Sequence, residues 1–235
     1  MPRVNGTPVE DEKDRRIRQL EQLVQELTAQ LEQSYDDTLE ALGSALDLKD
    51  AETEGHCQRV TAFCVSIAKT MPVPDSYLPI LARAAFLHDI GKMAIPDGIL
   101  LKPGPLTDEE KKIMRTHCEI GYNMLIRIPF LRDVAEIVLA HHEFFDGTGY
   151  PRGLKGEEIP LGARIFAVAD ALNAMLSDQR YRRALPMSHA REEIKRCAGS
   201  QFDPEVVKVF LSIPERHWIE VREKRGSPFG QLKAV

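Results

Sequence analysis

Five of the chain's seven histidines fall in or beside a small set of polar runs. His141 and His142 open the stretch HHEFFDGTGYP at 141–151, and His88-Asp89-Ile90-Gly91-Lys92 forms a second; His56 and His117 stand singly. Imidazole nitrogens and carboxylate oxygens at such density are the donors that divalent metal ions take. Adjacent positions on a helix point about 100° apart. His141 and His142 can therefore serve two neighbouring ions or the two sides of one pocket. His88 and Asp89 need not act on the same ion either, because a carboxylate can bridge two cations while each histidine holds one. Any one of these histidines alone would read as an ordinary hydrogen-bonded residue. The combination points to a metal centre.

The elements that must position these groups read as helices. Val134, Ile137, Val138 and His141 share one helical face, and Ile80, Leu81, Ala84, Ala85 and His88 share another, with Gly91 as its expected terminator. Thr107 followed by Glu110 is a capping box, so a helix carrying His117 should start there. Glu52 and His56, four apart, would lie on one face of a continuous helix. Pro160 suits the first turn of a helix running to about Leu176 with Asp170 inside it. Ser188 and Asp203-Pro204 read as further N-caps, with Gly199 stopping the helix between them. No alternating strand pattern emerges, and the expected fold class is all-α.

Upstream, Ile17, Leu20, Val24, Leu27 and Leu31 repeat at spacings of three and four, the a/d rhythm of a coiled coil. A parallel homodimer through this helix is favoured over an amphipathic helix packed on its own domain. The expected divisions are a flexible lead at 1–10, a coiled-coil signalling helix at 11–38, a catalytic domain at 39–213 and a partly disordered tail at 214–235.

The chain has 235 residues, 43% hydrophobic and 29% charged, with net charge −5. These values suit a soluble globular protein and argue against a generic nucleic-acid binder. No apolar run approaches the roughly 18 residues of a membrane span, and the N-terminus lacks a signal-peptide core. The four cysteines, 57, 64, 118 and 197, form no CxxC pair; free thiols in a reducing cytoplasm are expected. Cys57 and Cys118 each follow a candidate ligand histidine.

HDIGK at 88–92 and HHE..DGTGYP at 141–151, with IPDGILLKPGPLT at 95–107 between them, resemble the HD-GYP subgroup of HD-domain phosphohydrolases. The resemblance runs from near Leu39 to about Phe210. It implies an HD-domain helical bundle and a metal-ligand set of His56, His88, Asp89, His117, His141, His142 and Asp170, with Asp89 bridging and Glu52 as ligand to a third ion. The implied cofactors are two or three divalent ions. Nitrogen and oxygen donors favour iron or manganese, with magnesium, nickel or zinc as alternatives.

The implied reaction is hydrolysis of cyclic di-GMP to pGpG or GMP, by in-line attack of a hydroxide bridging the ions. Lys92 offers its charge to a phosphate oxygen. Gly147, Gly149, Tyr150 and Pro151 form a loop bordering the site and open to signalling partner proteins. Arg152, Lys155 and Arg164 form either a positive rim or a solvated cluster. The resemblance also places Tyr181 and Arg182 at the substrate, and Arg180, one residue off the position of the family's arginine, is the candidate to stand in for it.

Two departures stand out. Asn173 replaces a second aspartate, and Gln179-Arg180 replaces Arg-Pro, which removes an arginine used on substrate phosphate. Two readings therefore compete with the phosphodiesterase: a cyclic-dinucleotide-binding module without turnover, and a hydrolase of another nucleotide.

Overall fold

The computed structural model describes residues 12–49, 55–178, 183–223 and 229. Their regular structure is helical, with one isolated bridge between Ala198 and Phe202 and no strand among the described residues. The all-α expectation holds. The chain divides into a unit at 1–41 and a second at 42–235.

The first unit holds most of α1 (Glu12–Lys49). With no proline in its span, nothing interrupts the hydrogen-bond ladder. Acidic Glu12 and Asp14 open it, as the positive end of the helix dipole favours. Its apolar seam is exposed: Ile17 at 43%, Leu20 at 51%, Val24 at 61%, Leu27 at 55% and Leu31 at 51%.

The second unit is built around α2 (His56–Thr70), α3 (Tyr77–Leu87) and α8 (Leu161–Leu176), whose buried faces share one core. α2 starts at Gly55, which sits at φ 76 in the left-handed region that glycine adopts without strain. Helix geometry is thus broken at Gly55, immediately before His56; Glu52 lies outside the described residues. A 3₁₀ turn (Ile90–Ala94) and α4 (Asp97–Leu100) follow α3. The Thr107–Glu110 capping box is present and opens α5 (Asp108–Arg115). That helix stops short of His117, which instead begins α6 (His117–Leu125) after a break at Thr116. α7 (Arg132–Ala140) then leads to the paired histidines.

Gly91 does not terminate a helix through a left-handed turn. Its hydrogen stands where a Cβ would lie 1.9 Å from the carbonyl oxygen of His117, so the residue is small because two backbones meet there.

α9 (Met187–Arg196) starts one residue before Ser188, because Pro186 supplies a preset φ and the carbonyl that His189 and Ala190 bond. α10 (Pro204–Ser212) is capped as expected by the Asp203 side chain, which accepts from the Glu205 N–H. The expected end of the domain at 213 is too early. α11 (Glu215–Glu223) packs on α2, and Trp218 is fully buried between Phe63 and Phe210, at ring separations of 5.6 and 5.2 Å. Beyond Glu223, Phe229 is buried against Phe86.

Candidate metal centre

Four segments deliver the histidines. His88 caps the C-terminus of α3, His117 opens α6, His141 caps α7, and His56 opens α2. At a helix end the ring can turn back on the last free carbonyls, and three of these residues do so. Nδ1 of His88 lies 2.8 Å from the Ala85 oxygen, Nδ1 of His117 2.7 Å from the Met114 oxygen, and Nδ1 of His141 2.6 Å from the Val138 oxygen. A carbonyl only accepts, so each Nδ1 carries the proton and donates. Each Nε2 then presents a bare lone pair.

Those lone pairs converge on a carboxylate. His88 Nε2 is 2.8 Å from Asp89 Oδ2, His117 Nε2 is 3.4 Å from Asp89 Oδ1, and the Nε2 atoms of His117 and His141 are 3.2 Å apart. Two donors each ~2.1 Å from one ion stand about 3 Å apart, so these separations suit ligation of a common cation. Asp89 Oδ1 is buried and accepts no hydrogen bond.

Burial depresses the pKa of His117 and of His141, the latter strongly. Burial, with repulsion from His117, brings His142 down to about 3. Burial alone would raise the Asp89 carboxyl, but the charge that His88 takes up on protonation, the Lys92 ammonium and the charge that His117 takes up on protonation hold it well below the usual carboxylate range. Neutral imidazoles and an anionic carboxylate facing one another are acceptors crowded without protons. A cation satisfies that arrangement, and the residues fit a metal centre.

The remaining expected ligands lie around this cluster. The His142 ring lies tilted against His141 at 4.0 Å and meets His117 edge-on at 5.2 Å. His56 contacts His88 at 5.4 Å, and its Nε2 is 3.7 Å from Asp170 Oδ1. Asn173, one turn along α8 from Asp170, places its amide nitrogen 2.8 Å from His56 Nδ1. Cys118 was marked in the sequence only as a neighbour of His117. Its Sγ is 3.5 Å from His117 Nε2, and the donor atoms of His117, Cys118, His141 and His142 all lie within 4.8 Å of one another. Burial pushes its thiol pKa up.

Lys92 was expected to face substrate alone. Its ammonium stands 2.8 Å from Asp89 Oδ2, so it also neutralises the carboxylate at the centre of the cluster. Glu52, Gln179, Arg180, Tyr181 and Arg182 lie outside the described residues.

The loop after His142 is held by a carboxylate that sequence reasoning passed over. Glu143 is buried, and its two oxygens accept from the Arg152 and Leu154 N–H groups. An acid between His142 and two phenylalanines was the available signal. Gly147 sits at φ 87, and a Cβ on Gly149 would come within 2.3 Å of the Phe144 nitrogen. Both glycines are therefore obligatory for the loop's path. The Tyr150–Pro151 peptide is cis, and Tyr150 stacks on His142 at 4.8 Å.

Arg115 lies over the Tyr150 ring at 4.7 Å, a cation–π contact between α5 and the loop that sequence spacing does not announce. The positive rim is reduced. Arg164 bonds the Ile159 carbonyl and pairs with Asp203 at 2.6 Å, and Arg152 faces Glu136 at 3.5 Å.

Comparison with known proteins accords with this arrangement. The HD domain family model matches residues 40–206. A cyclic di-GMP phosphodiesterase of Thermotoga maritima is 43% identical over 83% of this chain and 53% of its own length. The cyclic di-GMP phosphodiesterase response regulator RpfG of Xanthomonas campestris is 40% identical, over 82% of this chain and 51% of its own. The chain thus spans about half the length of these relatives. The crystal structure of a cyclic GMP-AMP-specific phosphodiesterase of Vibrio cholerae superposes with a TM-score of 0.59 at 21% identity, covering 84% of this chain and 54% of that one, and shares the fold. No helix among the described residues is long and apolar enough to cross a membrane. With the HDIGK and HHE..DGTGYP segments folded around one cluster of facing imidazoles and a carboxylate, the chain belongs to the HD-domain family, in its HD-GYP group.

Proposed function

We propose that this chain is a cytoplasmic metal-dependent phosphodiesterase that hydrolyses cyclic di-GMP to pGpG or GMP. The observation that carries the reading is Asp89, buried and ionised between the bare nitrogens of His88 and His117. His56, His88, Asp89, His117, His141, His142 and Asp170 would hold two divalent ions, iron or manganese on the nitrogen and oxygen character of the donors. Glu52 is the candidate ligand of a third. When bound, such ions supply an activated water and neutralise phosphodiester charge.

The chain's own groups do the rest. Burial keeps His117, His141 and His142 neutral, so no proton has to leave them before they ligate. Lys92, tethered to Asp89, brings an ammonium to the phosphate oxygen beside the cluster. Tyr150, fixed between His142 and Arg115, walls one side of the site, and Arg115 adds a positive charge to that wall. The loop at 147–151 would serve both substrate choice and docking of signalling proteins, with Arg180, Tyr181 and Arg182 completing the substrate contacts. The exposed seam from Ile17 to Leu31 supports a parallel homodimer.

A second reading, a binding module without turnover, is favoured by the departures at Asn173 and Gln179. The experiment that separates the two measures metal content and cyclic di-GMP turnover on one anaerobically purified sample. Two ions with product release support the enzyme. Two ions with cyclic di-GMP bound and no product released would replace it with the binding module. Faster turnover of cyclic GMP-AMP would shift the substrate.

A further inference from the structure

His56 differs from the other histidines of the cluster. Each of His88, His117 and His141 turns Nδ1 to a carbonyl oxygen, whereas Nδ1 of His56 faces the side chain of buried Asn173 at 2.8 Å. An amide can offer either its oxygen or its nitrogen, so the contact alone leaves the proton undecided. Arg59 decides it. Its Nε lies 2.9 Å from Asn173 Oδ1, and a guanidinium only donates. The amide oxygen is therefore committed to Arg59, and the amide N–H₂ must point at His56. A donor aimed at Nδ1 requires a lone pair there, which leaves the ring's one proton on Nε2, the nitrogen facing Asp170 Oδ1.

We propose that Asn173, locked by Arg59, is a positioning residue that holds His56 in the Nε2–H tautomer and so keeps its edge of the site closed to a cation in the resting chain. Ligation through His56 Nε2 then requires the amide to turn over and give up its bond to Arg59. The centre consequently fills unequally. The position ringed by His88, Asp89, His117 and His141 is ready, and the His56–Asp170 position fills last and most weakly. An aspartate at 173 would accept from both Arg59 and His56 Nδ1–H, bringing His56 into line with its three neighbours. The inference rests on the assignment of His56 as a ligand, but its first test needs neither metal nor turnover.

That test is a long-range ¹H–¹⁵N correlation spectrum of the metal-free chain. His56 should show protonated Nε2 while His88, His117 and His141 show protonated Nδ1, and Asn173→Asp should move His56 alone to the Nδ1–H form. A His56 already in the Nδ1–H form in the parent chain overturns the proposal, whatever the enzyme assay gives.

The second test titrates manganese(II) against a competing chelator. The parent should bind a first ion and then a second more weakly, and Asn173→Asp should tighten the second about 10–100-fold, the usual reach of a residue that orients a ligand. The added negative charge would itself favour a cation, so Arg59→Met, which frees the amide without adding charge at 173, should leave His56 a mixture of tautomers. Equal affinities in the parent, or a second site unmoved by Asn173→Asp, would overturn it as well.

Discussion

The contact between Gly91 and the start of α6 makes the most exacting test of how the fold builds the metal centre. A Cβ at residue 91 would lie 1.9 Å from the His117 oxygen, 2.7 Å from the Gly121 nitrogen and 2.8 Å from the His117 carbonyl carbon. All three are backbone atoms, which no side-chain rotation can clear. The 3₁₀ turn and α6 would have to part by about 1.1 Å merely to bring the closest contact to the shortest distance real Cβ atoms show. Asp89 precedes that turn and His117 opens that helix, so the displacement acts on the 3.4 Å gap between Asp89 Oδ1 and His117 Nε2. Metal–ligand distances tolerate only about 0.2 Å, so Gly91→Ala should abolish the ion shared by these two residues. Overpacking should also cost about 1–3 kcal/mol of stability.

The assay pairs urea denaturation followed by circular dichroism with manganese(II) uptake. Gly121→Ala serves as the comparison, because its Cβ would meet the Val138 side chain at 3.1 Å and needs only a small adjustment. Gly121→Ala should retain metal. A folded Gly91→Ala chain that binds manganese(II) like the parent would refute the claim that this backbone contact sets the ligand spacing.

Three further outcomes are expected. Asp89→Ala should lose both metal and turnover, whereas Lys92→Ala should keep metal and turn over roughly 10²–10³-fold more slowly; metal loss on elemental analysis of Lys92→Ala would mean that its contact with Asp89 is its whole role. In the metal-free chain His142 titrates at about 3 rather than 6.5, because burial penalises its charge. The unfolded chain therefore binds the extra proton between those values, and stability present above about pH 6.5 is lost as pH falls, by up to about 1.4 kcal/mol per pH unit from this ring. His142→Asn should flatten the dependence of urea midpoint on pH, and an unaltered slope would contradict the assignment. Charges at Leu20 and Leu27 together should convert a dimer to a monomer in sedimentation at tens of micromolar; a parent chain already monomeric there removes the coiled-coil reading.

What could be read from sequence was whatever depends on neighbours along the chain. The helical class, the capping box at Thr107, the cap at Asp203 and the grouping of histidines with Asp89 all follow from spacing and side-chain chemistry. Local rules misjudged two positions where a distant element intervenes. Gly91 resembles a helix stop, but its size is dictated by the backbone of His117. Residues 214–223 look like a polar tail with a single tryptophan, yet Trp218 fills a hole between Phe63 and Phe210 that no local pattern reveals.

The tautomers belong to tertiary structure as well. Each of His88, His117 and His141 finds its carbonyl three residues back, a consequence of helix ends that a sequence can hint at. His56 finds Asn173 from 117 residues away and Arg59 beyond it, and the direction of that amide is decided by a guanidinium that can only donate. The sequence supplies the donors, while packing decides which nitrogen of each ring is free to bind.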